Sequence, residues 1–426
     1  MIRRSTAARG LALAAVLSVG LAACSTSGGG GGGEGEGSAE PLVIGTILPV
    51  TGSLAYLGPP EFAGVGLAVD EINAAGGVLG NDVELENGDS GDSTDMSVST
   101  NTATDLIGKG AQVAIGAASS SVSQNVLDQF TEAGVLQISP ANTSTELSGA
   151  SDLYTRTAPP DTVQGAALGS LILDGGHQKV AFLVQNETYG TGLRDNVQKA
   201  IEAAGAEVVY GGTGAGDEFA PGETNFSSIV TDALAAKPDA IAIIAFEETK
   251  AAVAELVSQG WDFNGTTYFC DGNTADYTKD FDKGTLEGVI GTIPGADPAQ
   301  EFKDKASAWY EENEGEPLAD YAYAAESYDA VILAALAAVK AGSTAGTDIA
   351  AEFAAVSGAN GGTEVTTFEE GVAALEAGDE IHYKGVSGIG PINEDNDPSS
   401  AFVGVYKYDD KNAIVFERAI EGSVEG

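Results

Sequence analysis

Apolar positions fall in two rhythms along this chain. Short, nearly unbroken apolar runs read as buried strands, and longer stretches with apolar residues every third or fourth position read as helices. Leu42–Leu48 alternates little, as a strand buried on both faces does. Pro49–Pro60 is a loop rich in Gly, Pro and Thr. Over Glu61–Ala75 the side chains of Phe62, Val65, Val69 and Ile72 share one helical face, and Gly76-Gly77 ends it. Val83–Leu85 predicts a short strand and Met96–Ile107 a helix. Val113–Ala117 and Val135–Ile138 are apolar runs on either side of the helical stretch Val122–Ala133, which together make a βαβ unit.

The pattern pauses around Arg156 to Asp161, at Pro159-Pro160, which reads as a crossover. A second series then predicts helix Thr162–Leu173, strand Val180–Val184, helix Thr191–Ala204 and strand Glu207–Tyr210. Helix Phe226–Ala235, strand Ala240–Ala245, helix Glu248–Gln259 and strand Thr267–Phe269 follow. Strands alternating with helices of this length imply parallel sheets flanked by helices, an α/β fold. A return segment comes near Gly288–Pro294. Ala299–Glu312, Ala322–Lys340 and Ile349–Val356 are helical additions to the first series. Gly385–Ile420 is strand-like around the turn Asp409-Asp410-Lys411-Asn412.

The N-terminus reads differently. Arg3, Arg4 and Arg9 precede the apolar stretch Leu11–Leu21, which is too short to span a membrane as a helix and fits an export signal over 1–23. Leu21-Ala22-Ala23-Cys24 resembles a bacterial lipobox, which implies cleavage before Cys24 and a diacylglycerol on its thiol. Residues 24–41, with consecutive glycines from Gly28 to Gly33, form a flexible tether. The expected location is the outer face of a bacterial cell membrane, held through the lipid on Cys24. Cys270 is the only other cysteine, so with Cys24 lipidated the folded part has no intramolecular disulfide.

The formal charge is −44, and −47 without the three leader arginines. So acidic a chain argues against binding nucleic acid or anionic lipid through a basic surface. The two histidines, His177 and His382, offer no metal cluster or triad by spacing. Gly212-Thr213-Gly214-Ala215-Gly216 lacks the Lys-Ser/Thr of a nucleotide-binding loop, and no cofactor is expected.

Candidate chemistry gathers where the predicted strands end. Ser119, Ser120 and Ser121 follow the first strand of the βαβ unit, and Asn142, Thr143, Ser144 and Thr145 follow the second. In open parallel sheets ligands sit beyond the carboxyl ends of the strands. The helix after Ser120 would add N–H groups that favour an anion. Neutral donors without a base, metal ligand or nucleophile partner suit holding a carboxylate rather than transforming it.

Several motifs occur in order over nearly the whole chain: Gly45-Thr46-Ile47-Leu48-Pro49-Val50-Thr51-Gly52, Asp70-Glu71-Ile72-Asn73 with Gly76-Gly77, and Ile115-Gly116 before serines. Ile138-Ser139-Pro140, Tyr189-Gly190, Asn225-Phe226-Ser227, Lys237-Pro238-Asp239, Tyr328-Asp329-Ala330 and Gly388–Ile392 continue the series. In this ordered succession the chain resembles the Leu/Ile/Val-binding type of periplasmic solute receptor. The resemblance implies a type I binding-protein fold with two α/β lobes and three interlobe crossings. Lobe one would hold 42–157 and 292–387, and lobe two 158–291 and 388–420. It implies a non-enzymatic, monomeric receptor that closes by hinge motion around a solute and delivers it to an ABC permease.

The resemblance also implies site residues. Ser120 and Thr143 would donate to a ligand carboxylate, with main-chain groups at Ala141 and with Asn142 beside it. Ser120 equally suits a helix N-cap, and Thr143 a loop hydroxyl bonded to its own backbone. Tyr189 would cover the ligand from the second lobe. Asp271 would take an α-ammonium, the alternative being an Asx turn with Gly272. Phe246 or Glu247 would point into the cleft after their strand. Tyr56, with Leu57, lies where well-known members carry a Trp, and Tyr323 would join the cleft wall or pack as a helix-face core residue. The expected ligand is an amino acid, branched-chain or related. An amide, urea-like or aromatic carboxylate solute, a ligand sensor and a secreted enzyme are the competing readings, and Asp271 discriminates among the solutes.

Overall fold

A computed structural model describes residues 40–423. The leader, Cys24 and most of the tether lie outside them. In the first half β1 (Val43–Ile47), α1 (Gly58–Ala74), β2 (Glu84–Glu86), α2 (Ser97–Gly108), β3 (Val113–Gly116), α3 (Ser120–Ala133), β4 (Leu136–Ser139) and β5 (Tyr154–Arg156) succeed one another. Their strands form a wholly parallel sheet in the order β2-β1-β3-β4-β5. The strand β5 lies where the sequence pattern only pauses. Three residues are too few to show a period, yet Tyr154, Thr155 and Arg156 pair in register with Gln137, Ile138 and Ser139.

The second series comprises α4 (Asp161–Asp174), β6 (Lys179–Val184), α5 (Thr188–Ala203), β7 (Glu207–Tyr210), α6 (Ser227–Ala235), β8 (Ala240–Ile244), α7 (Thr249–Ser258), β9 (Thr267–Phe269) and β10 (Ile290–Pro294). The chain then returns through α8 (Gln300–Glu314), α9 (Ala324–Ala341), α10 (Gly346–Val356), β11 (Thr363–Val365), α11 (Phe368–Glu376) and β12 (Ile381–Tyr383). It ends with β13 (Ser400–Tyr408) and β14 (Ile414–Ser423). The second sheet runs β14-β13-β10-β9-β8-β6-β7. Its β6 to β10 part is parallel, but β13 is antiparallel to β10 and to β14. The tight turn at Asp409–Ala413 leaves β13 and β14 no other pairing, since a parallel neighbour needs a long crossover.

Helices α8 to α11 belong to the surroundings of the first sheet. Helix α9 is buried over Ala324–Ala338 and carries the centre of the larger core with α1 and β1, β3 and β4. A helix apolar on every side belongs inside a core. Its approach to α1 depends on Gly64, where a Cβ would stand 2.1 Å from the carbonyl oxygen of Ala324. Among the described residues no single helix is long and apolar enough to cross a membrane. A third, two-stranded sheet pairs β11 with β12. Between its two large sheets the chain thus crosses after β5, after β10 and before β13, and the C-termini of β3, β4, β8 and β9 lead into one cleft.

Candidate functional site: the cleft between the two sheets

The first-lobe wall is built by the ends of β3 and β4. Beyond β3 the backbone turns at Ser119, which caps α3 by accepting from the Val122 N–H. Ser120 is fully buried and accepts from the Ser144 N–H at 3.3 Å. The Asn142 side chain ties the two strand ends together. Its amide donates to the carbonyls of Ala117 at 2.6 Å and Ser119 at 3.2 Å, and its oxygen accepts from Tyr154. Asn142 is a strut of the wall and faces away from the cleft. Arg156, wholly buried, donates to the carbonyl of Ser144 at 2.8 Å and pairs with Asp397 at 2.6 Å, which fixes the 142–144 loop from behind.

The second-lobe wall carries Tyr189 at the start of α5, Phe246 after β8 and Asp271 after β9. The Tyr189 and Phe246 rings stack with centroids 5.3 Å apart. Asp271 is buried and accepts from Tyr189 Oη and Gln164 Nε2, each at 2.6 Å, and across the cleft from Tyr323 Oη at 2.6 Å. Burial raises its carboxyl above the usual range, and the three donors pull it part of the way back. Burial and the neighbouring carboxylate hold both phenols well above their ordinary value, so they remain donors. Burial likewise pushes the Cys270 thiol up, which makes it a protonated packing group and acceptor for Tyr189 Oη.

Ser120, Ala141, Tyr189, Phe246, Asp271 and Tyr323 therefore line one cavity, as the sequence places them. Its volume is about 10 Å³, room for about one water molecule. Tyr56 stands at its edge and donates to the Gly272 carbonyl at 2.9 Å. Glu247 does not join them: it is exposed and pairs with Lys250 at 3.2 Å. Position after a strand end put both Phe246 and Glu247 in reach, and consecutive side chains diverge, so only one enters.

Thr143 is buried with its hydroxyl unpartnered, beside the carboxyl of Asp161. Asp161, at the first turn of α4, has both carboxylate oxygens buried and without a hydrogen-bond partner. Burial first, and Asp271 second, push it well above its ordinary value. Sequence reasoning left Asp161 out, because an acid opening a helix looks like an ordinary first-turn charge. The signal available was its position, directly after the crossover prolines.

A second residue left out is Glu187. It stands on the second lobe and accepts from Ser119 Oγ at 3.0 Å, from the Ser121 N–H at 3.1 Å and from the Ser121 hydroxyl, all on the first. It also accepts from the Tyr189 N–H at 2.6 Å. The anion at the N-terminus of α3 is thus a side chain of the opposite lobe.

Residues 41–379 match the family described as periplasmic binding protein. The chain belongs to that family. Among curated relatives, a leucine-, isoleucine-, valine-, threonine- and alanine-binding protein of Pseudomonas aeruginosa is 33% identical over 42% of this chain and 49% of its own length. A Leu/Ile/Val-binding protein of Escherichia coli is 31% identical over 45% of this chain and 51% of its own. The chain thus spans about half the length of the curated relatives it matches. Among solved structures, a leucine-binding protein of Thermotoga maritima superposes with a TM-score of 0.72 at 23% identity, covering 89% of this chain and 98% of that one. A branched-chain amino-acid-binding protein of Streptococcus pneumoniae in complex with isoleucine gives 0.72 at 21%, covering 90% and 100%. An ABC-transporter solute-binding protein of R. palustris in complex with benzoate gives 0.69 at 18%, covering 91% and 98%. These likenesses establish the two-lobed type I fold.

Proposed function

We propose that the protein is the solute receptor of an ABC importer, capturing an amino acid, branched-chain or related, between its lobes. The observation that carries this reading is Asp271: a buried carboxylate on one lobe, satisfied by neutral donors and facing hydroxyls on the other. An α-ammonium supplies the missing positive charge through charge-assisted hydrogen bonds. Asp161 and the Thr143 hydroxyl stand ready as further acceptors for it. The Ser120 hydroxyl, which accepts from the Ser144 N–H and keeps its proton to donate, receives the α-carboxylate beside Ala141, and Tyr189, Phe246 and Tyr323 enclose the side chain.

So small a cavity admits an amino acid only when the lobes part, and the ligand then favours closure by contacts made in the closed form alone. Export by the leader, a lipid on Cys24 at the outer face of the cell membrane, a monomeric body and lobes divided at 42–157/292–387 and 158–291/388–420 complete the reading. The stacked Tyr189–Phe246 wall also suits an aromatic carboxylate, but such a ligand would bring a second anion beside the buried Asp271 with no counter-charge, which is costly. A thermal-shift series tests the choice: branched-chain amino acids should raise the melting temperature of the purified protein by linkage. Stabilisation by benzoate with none by any amino acid would reverse it.

A further inference from the structure

A second cavity, of about 230 Å³, lies behind the wall of the cleft. Tyr323 faces both cavities. Tyr56 lines the second and is tied by its hydroxyl to Gly272, which lines the first. The two tyrosines are the partition between them. The far side is formed by the end of β10, by Tyr406 on β13 and by the segment entering α9, so an occupant would touch elements around both sheets.

The lining is acidic and aromatic. Glu326 is 3% exposed and lines the cavity, and while its main-chain carbonyl accepts from Thr157 Oγ1 at 2.8 Å, its carboxylate accepts no hydrogen bond from another described residue. One of its oxygens lies 2.1 Å from where a Cβ would stand on Gly295, so the carboxylate is pressed against the chain crossing. Asp320 accepts only from the Ala322 N–H, at 3.1 Å. Neither has a cationic partner among the described residues. The single lysine of the lining, Lys303, is taken by Asp297 at 2.5 Å and lies over the Tyr321 ring, 5.6 Å from its centroid. At the rim, then, an ammonium already sits between a carboxylate and a tyrosine ring. Deeper in, the same pairing of groups recurs without one. Burial pushes Glu326 up to about 8 and Asp320 up to about 6, the response of carboxyls that lack a counter-charge.

Carboxylates beside tyrosine faces in a partly dry space recognise organic cations, by charge-assisted hydrogen bonds and by cation–π attraction. We propose that this cavity binds a protonated alkyl amine, held by Glu326 and Asp320 against the rings of Tyr56, Tyr323 and Tyr406. The amine is either the far end of an amino acid whose α-groups occupy the cleft, reaching past Tyr323, or a separate molecule. The first source rests on the amino-acid reading above; the second does not.

The test is calorimetric titration of the purified protein with L-lysine, L-norleucine and n-butylammonium, the last with and without saturating L-leucine. A distal-group site makes L-lysine bind at least about tenfold more tightly than L-norleucine. A separate-amine site makes n-butylammonium bind when L-leucine is already present. In both cases Glu326→Gln weakens amine binding by about tenfold or more and leaves L-leucine unchanged. Asp320→Asn, at a half-buried position, gives the same direction should the first variant fold poorly. Equal affinity for lysine and norleucine together with no butylammonium heat overturns the proposal. So does amine binding that both folded variants retain, which would be diffuse attraction to the acidic surface. If butylammonium binds in a Glu326-dependent way while no amino acid binds, the amino-acid reading falls and this one stands.

Discussion

Replacing Asp271 with Asn removes one charge and almost no volume. The variant amide still accepts at one position from Tyr189 or Gln164, which donate to the native carboxylate at 2.6 Å. Folding stability should change little, because lost charge-assisted bonds are offset by relief of a buried charge whose carboxyl is already raised by burial. Binding should change greatly. Removing one member of a desolvated, hydrogen-bonded charge pair costs about 2–5 kcal/mol, which is about 30-fold to a few thousandfold in affinity. Calorimetry with L-leucine measures this directly, and 4-methylpentanoate, the same skeleton without its ammonium, is the control. The variant should lose leucine affinity in that range while its affinity for the deaminated acid stays within about threefold or improves. Leucine affinity also falls with pH as Asp271 takes up its proton, at a pH above the ordinary carboxylate range. Leucine binding within about threefold of the parent protein would refute the assignment of Asp271 to the ammonium.

Three further outcomes follow from the same geometry. Asp397→Ala strands the buried Arg156 and should cost about 3–5 kcal/mol in urea unfolding, with weaker ligand binding as the 142–144 loop loosens. Glu187→Ala removes the acceptor that joins α3 to the other lobe; since hydrogen bonds to charged groups contribute about 1.5–3 kcal/mol each, the unliganded protein should shift toward open lobes, read as a larger radius of gyration in solution scattering. Glu326→Gln should stabilise the fold increasingly with pH. The native carboxyl is raised to about 8, so the folded state must keep a proton that the unfolded chain releases near 4.5. The variant gains about 1.4 kcal/mol per pH unit across that window, and equal melting curves at about pH 5 and pH 8 would contradict it.

Much of this architecture is written in local patterns. Strands such as Val180–Val184 and helices such as Ala322–Lys340 announce themselves by apolar runs and period, and the structure places β6 and α9 there. The hydroxyl-rich ends of β3 and β4 likewise mark one wall of the cleft. What escapes a local reading is set by distant partners. Arg156 looks like any cation until it meets Asp397, 241 positions away. Glu187 acquires its role only against serines 66 and 68 positions earlier on the other lobe. Asn142 and Ser120 are near neighbours in a hydroxyl-rich stretch, and only the turn geometry sends one into the wall and the other into the cavity. Short elements such as β5, β11 and β12 carry too few residues for a period to show, and exist because a sheet edge or a neighbouring strand pairs with them.

Whether the cleft takes an amino acid is decided by equilibrium titration of the purified protein with L-leucine, L-isoleucine, L-valine and benzoate. Saturable one-to-one binding of at least one branched-chain amino acid is expected, with scattering that shows the lobes closing as it binds. Binding of benzoate alone, or amino-acid binding with no change in lobe separation from an open form, would contradict it.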